Sequence, residues 1–228
     1  MNQIDQENER LFASLKVEQT FMQRVYQWMA AGLAITGFVA YAVSGNAGLL
    51  HALAGGGFLI LMLAEIGLVF WLSASIMKMS VQAALTGFLV YSALNGVTLA
   101  FVFAAYTGAS IASTFFITAG SFAGVSVFAW VTQSDLTSMR SFFVMGLIGF
   151  LIASIVNIFL QSPVFYWILS YMGLALFIGL TAYDTQQLKQ IHRSGNAGEQ
   201  LAIMGALKLY LDFVNMFLLL LRLFGRRR

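Results

Sequence analysis

Cysteine is absent from the 228 residues. Disulfides, thiolate nucleophiles and thiolate metal sites are excluded with it. Histidine occurs only at His51 and His192, far apart and outside every long apolar run. That argues against a histidine metal centre and against a serine–histidine hydrolase. Charged residues make up only 9% of the chain, where a soluble domain carries about 25%, too few to cover a water-facing surface. The start "MNQIDQENERLFASLKVEQTF" is polar and mixed in charge, without the basic lead and short apolar core of a signal peptide. It reads as a cytosolic tail, residues 1–25, ahead of a first span that acts as an uncleaved anchor. No apolar run alternates with period two, which sets aside a β-barrel.

What is present is hydrocarbon. Hydrophobic residues are 60% of the chain and mean hydropathy is +0.83. Seven apolar runs can be drawn: Tyr26–Val43, Phe58–Ile76, Gln82–Ala105, Ile111–Val131, Ser141–Leu160, Phe165–Leu188 and Gln200–Phe224. Each suits a helix crossing the roughly 30 Å of a bilayer interior. The fold expected is an all-α integral membrane protein, with residues 26–228 as one seven-helix domain. Turn-forming strings separate the runs: "SGNAG" and "AGGG", "YTGAS", and "QSP" with the single proline, Pro163. Tyr26, Trp28, Tyr106, Trp130, Tyr166 and Trp167 fall near run ends, where amphipathic rings settle.

The net charge of +3 and pI near 9.3 do not point to nucleic acid. Basic residues are scattered at span ends rather than gathered with aromatics, a pattern suited to anionic headgroups. Arg10, Lys16 and Arg24 precede the first span, Lys78 follows the second, Arg140 the fourth, and Lys189 and Arg193 the sixth. The alternate loops have no lysine or arginine, so the N-terminus is expected in the cytosol. The closing "GRRR" then falls outside, against the rule. A crossing is still expected over a re-entrant hairpin, because Gln200–Phe224 has no mid-depth glycine or proline on which to turn. Gly120 with Gly124, and Gly146 with Gly149, are candidate points of close helix approach.

The last run carries charges that lipid should reject. Lys208, Asp212, Asn215, Leu219 and Arg222 follow one another by 4, 3, 4 and 3 residues, a single helical stripe. One carboxylate at mid-bilayer costs roughly 2.5–3.5 kcal/mol, so the stripe should face other helices and place this helix centrally. Asp184 lies toward the cytosolic end of the sixth span, and Asp212 about 15 Å from the start of the seventh. The two acids can thus share a depth on neighbouring antiparallel helices. Glu65, about 10 Å into the second span, and Arg222 near the far end of the seventh are expected to pair. Blander roles exist for each: Lys208 with Asp212 at i,i+4, Arg222 snorkelling to the interface, and Asp184 wetted at the membrane edge.

"AYDTQQLK" and "LYLDFVNMFLLLLRLFG" in the last two spans resemble the Bax inhibitor-1 family (transmembrane Bax-inhibitor-motif proteins), in its bacterial, YccA-like branch. "LVYSALNGVTLAF" and "YTGASIASTFFITAG" extend that resemblance over nearly the whole chain from Tyr26. It implies seven helices, the last at the centre and wrapped by six, in a bacterial inner membrane. It also implies an aspartate pair at Asp184 and Asp212 and the final-helix arginine at Arg222. The resemblance further implies a pH-sensitive calcium leak channel or, as described for some bacterial members, a regulator that binds a membrane-anchored protease. Some relatives carry a basic residue at the cytosolic end of helix two that engages the aspartate pair. Here "WLSASIMKMS" is neutral until Lys78, so a latch would be rebuilt with Lys78 or Lys208, or be missing.

Two carboxylates in a low-dielectric site tend to share a proton, which makes a proton sensor. Deprotonated, they offer hard oxygens for a weak, transient Ca²⁺ contact, with Thr181 and Asn215 as neutral accessories. This chemistry agrees with what the resemblance implies, and the expected function is a pH-sensitive calcium leak channel, with calcium as permeant ion, no cofactor, and lipid as the constant partner. A regulator that binds a membrane protease without transport is the alternative. An intramembrane aspartyl protease is a minor third: "LYLDF" lacks the glycine flank such enzymes use, and no proline docking motif follows.

Overall fold

Turn chemistry sets the helix boundaries. In this computed structural model, residues 3–193 and 198–228 are described, with side chains over 20–191 and 198–228. The helices are α1 (Gln3–Ser44), α2 (Ala47–Leu53), α3 (Gly56–Ser75), α4 (Val81–Ala105), α5 (Gly108–Val131), α6 (Arg140–Leu160), α7 (Pro163–Arg193) and α8 (Glu199–Phe224). Ser80 and Thr107 cap α4 and α5 by accepting from Ala83 and Ser110 backbone N–H groups. In "QSP", Gln161 takes the left-handed conformation (φ 50°) that ends α6, Ser162 accepts from the Phe165 N–H, and Pro163 opens α7, where it needs no donor.

All seven spans appear as helices long and apolar enough to cross a membrane; α2 is a short helix inside the first loop. The first differs most from expectation. Its helix starts at Gln3 rather than Tyr26, and Phe21, Met22 and Val25, assigned above to the tail, are buried in the bundle. The side chains of Arg10, Lys16, His192 and Arg193 lie outside the described residues.

Burial shows which helix is central. In the most apolar stretch of α8, 72% of residues are buried, against 6–33% in the other six spans. Its main neighbours are α7, α1, α5 and α4; α3 packs chiefly on α4, and α6 on α7. The immediate wall around α8 is therefore four helices, with α3 and α6 standing outside it. The outer surface is apolar, with Phe38, Phe70, Phe116 and Phe159 exposed, as a lipid-facing surface requires. α8 is unbroken. It begins beside Arg24 and Trp28 of α1, which bond Glu199, and its end meets the opposite rim of the bundle. There Thr107 N–H donates to the Arg226 carbonyl and Arg228 N–H to the Ala105 carbonyl, both at 3.0 Å. At 26 residues it is about 39 Å long, more than a bilayer interior.

The close approaches are not those anticipated. Gly120, Gly124 and Gly149 face open space, and Gly146 meets only Leu176. The tight contact is between α1 and α4: a Cβ on Gly96 would lie 2.7 Å from the Thr36 carbonyl. Thr36 there donates to the Ser92 carbonyl at 2.8 Å and lies 2.6 Å from the Tyr210 hydroxyl of α8, tying three helices together. At the Glu199 rim, Gln186 of α7 clamps the α5–α6 loop through Ser134 and Leu136. In that loop the Thr137 hydroxyl and amide hold the Asp135 carboxyl below its usual range.

Candidate functional site

α7 and α8 make one of the larger helix interfaces, and their polar residues meet across it. On α7, Asp184 and Gln187 are three residues apart and so share a face. Lys208 of α8 reaches that face. Its Nζ lies 3.3 Å from Asp184 Oδ1 and donates to Gln187 Oε1 at 2.6 Å. Gln187 in turn donates to the Tyr183 hydroxyl at 2.9 Å. Asp212, one turn further along α8, is 5% exposed, and Asp184 9%. Asp212 lies close enough to both Asp184 and Lys208 to feel their charges. Its Oδ2 has no hydrogen-bond partner among the described residues.

The geometry thus brings Asp184 and Asp212 together and chooses Lys208 as their cation. Lys208 crosses to α7 instead of pairing along its own helix with Asp212: among the described residues, Asp184 is the acid within ion-pair distance. Lys78 is exposed in a short 3₁₀ turn (Ile76–Lys78) and makes no ion pair among the described residues. The neutral accessories are not assembled. Thr181 is buried and donates to the Phe177 carbonyl of its own helix at 2.8 Å. Asn215 donates to the Leu211 carbonyl at 2.8 Å and lines a cavity toward the other end of the bundle.

Glu65 and Arg222 do not pair. Glu65 faces α4, near Tyr91, Asn95 and Thr98. Its Oε1, Asn95 Oδ1 and Thr98 Oγ1 are buried without hydrogen-bond partners among the described residues. Arg222 instead lies over the Tyr166 ring of α7, 4.6 Å from its centroid. Matching depth placed the two on one level but could not fix which neighbour each faces: α3 looks toward α4, while Arg222 looks toward α7.

Gln187 is the residue that sequence reasoning missed. Its signal was available, because it follows Asp184 by three residues in "DTQQ" and so must share the aspartate's face. Chemically, the site combines one ammonium with two carboxylates, neutral when the acids hold one proton and negative when they hold none. Among the described residues no group of three or more His, Cys, Asp or Glu side chains could hold a metal ion.

Comparison with known proteins agrees with this architecture. The family described as Inhibitor of apoptosis-promoting Bax1 matches residues 18–228. Inner membrane protein YbhL of Escherichia coli (strain K12) is 45% identical over 223 residues, covering 92% of this chain and 93% of that protein. Uncharacterized protein RP147 of Rickettsia prowazekii is 42% identical, covering 91% of this chain and 90% of that one. A protein of Borreliella burgdorferi is 41% identical, with 93% and 94% covered. The chain is a multi-pass integral membrane protein, and it belongs to the Bax inhibitor-1 family.

Proposed function

We propose that this protein is a pH-sensitive leak pathway for calcium, gated by Asp184, Asp212 and Lys208. The observation that supports it is a pair of buried aspartates on adjacent helices, one of them already bonded to an ammonium group. With one proton on the acids the cluster is neutral, and Lys208 holds α8 to Asp184 and Gln187 of α7. Without that proton the cluster carries a net negative charge in a low dielectric. Two responses relieve it: the helices separate, or a cation enters and competes with Lys208 for Asp184. Two carboxylates bind Ca²⁺ weakly and leave it hydrated, which suits an ion that must also depart.

The test is calcium flux in proteoliposomes across a pH series, because coupled acids release their protons in separate steps. Asp184→Asn or Asp212→Asn removes the mutual repulsion and is expected to flatten the pH dependence. Unchanged pH dependence in both variants would make the pair structural and give precedence to the adaptor reading. One observation favours that second reading. α1 continues for 17 residues before Thr20, about 25 Å of helix that could engage a membrane-anchored protease. An adaptor would leak no calcium when reconstituted alone.

We assign the Glu199 rim to the cytosol, because Arg24, Lys78, Arg140 and Lys189 all lie toward it. A reporter fused after Arg228 is then expected to be active only outside. Activity confined to the cytosol would invert the assignment.

A further inference from the structure

At the rim opposite Glu199, a cavity of about 730 Å³ opens between α6, α7 and the end of α8. Its lining holds two arginines, Arg222 and Arg227, and no acidic residue. Arg222 lies over Tyr166 and Arg227 over the Tyr106 ring at 5.8 Å, so aromatic faces support both guanidinium planes. Among the described residues neither arginine has a carboxylate partner, and Arg222 has no hydrogen-bond acceptor. Arg222 is exposed near the end of α8, so its N–H donors are free to meet a ligand at the rim.

The rest of the lining narrows the ligand. Asn157 of α6 brings an amide whose Oδ1 is buried and without a partner among the described residues, able to accept from a hydroxyl on the ligand. Leu151 and Ile158, also lining the cavity, are 52% and 68% exposed on the outer face of α6. The cavity thus opens sideways onto the lipid-facing surface as well as toward the rim. Two forked guanidiniums match the geometry of a phosphate oxyanion, and an apolar flank suits an acyl chain.

We propose that this cavity is a binding site for a phosphate-type oxyanion, carried by a lipid headgroup whose chain lies along α6, or taken free from solution. It does not depend on the calcium reading, since it uses none of the gating residues and lies at the other end of α8.

The full-length protein in detergent is titrated with phosphatidylglycerol, phosphatidylcholine or inorganic phosphate, and bound adducts are counted by native mass spectrometry. One tightly retained phosphatidylglycerol per chain is expected, with phosphatidylcholine lost. Arg222→Gln and Arg227→Gln should each weaken retention roughly tenfold or more, while Arg140→Gln at the opposite rim should not. Competition by millimolar phosphate would make the soluble ion the ligand; no competition would make the headgroup the ligand. If Arg222→Gln does not fold, Arg227→Gln carries the test, because that side chain lies beyond the end of α8. Equal retention of the two lipids, or retention indifferent to Arg227→Gln, overturns the proposal.

Discussion

In the first half of α8, Lys208 reaches across to Asp184 and Gln187 and sits one turn from Asp212, so one ammonium faces two acids between two helices. In the second half, Arg222 meets no carboxylate and rests on the Tyr166 ring beside a cavity. Both halves carry charge on the same stripe of the same helix. The first half joins helices through charges that a proton can unbalance. The second half tolerates its charge because an arginine keeps its proton at any ordinary pH and a ring face accepts the cation without titrating. A pH response is therefore expected from one half only.

The largest effect that can break this comparison is loss of Lys208. Lys208→Met leaves two acids facing each other without a counter-charge. For a fully buried pair such a loss costs about 3–5 kcal/mol. The Lys208 side chain keeps 35% of its exposure, so solvent screening brings the expected loss nearer 1–3 kcal/mol. Adding Asp184→Asn should restore much of it, a favourable coupling measurable by thermal unfolding in detergent. If the double variant is as unstable as the sum of the singles, Lys208 is a surface lysine lying near an acid, and the contrast between the halves disappears.

Much of this site was legible in the chain. The stripe from Lys208 to Arg222 required a buried face, and the central position of α8 follows from that requirement alone. Asp184 and Asp212 could be brought together because depth along a helix is simple arithmetic on the rise per residue. Rotation about a helix axis is not. Lys208 had two available fates, a pair with Asp212 on its own helix or a latch across to Asp184, and the distance between α7 and α8 decides between them, a tertiary quantity. The same missing angle misassigned Glu65 to Arg222, when α4 offers Asn95 and Thr98 to Glu65 instead. Gly120 and Gly124 failed for a related reason. Spacing identifies a small face, but only packing supplies a helix to approach it, and the approach occurs at Gly96 instead.

The finest test lies within the second half, in the partner that Arg222 selects. Arg222→Gln, Tyr166→Leu and Glu65→Gln can be combined in two double-mutant cycles read by unfolding. For Arg222 with Tyr166 the expected coupling is about 0.5–1 kcal/mol, the range for a cation over a ring at a partly exposed site. For Arg222 with Glu65 the two changes should add within about 0.5 kcal/mol, because residues without contact or shared partners behave independently. The second cycle is the stricter one. Charges act at longer range than rings do, and a concealed ion pair would announce itself as a coupling of about 1 kcal/mol. Coupling of that size to Glu65, with none to Tyr166, would mean that the end of α8 adopts a second arrangement in which Arg222 swings from α7 toward α3. The gate would then involve both halves of α8, and the Arg222 half would no longer be the passive, pH-insensitive one.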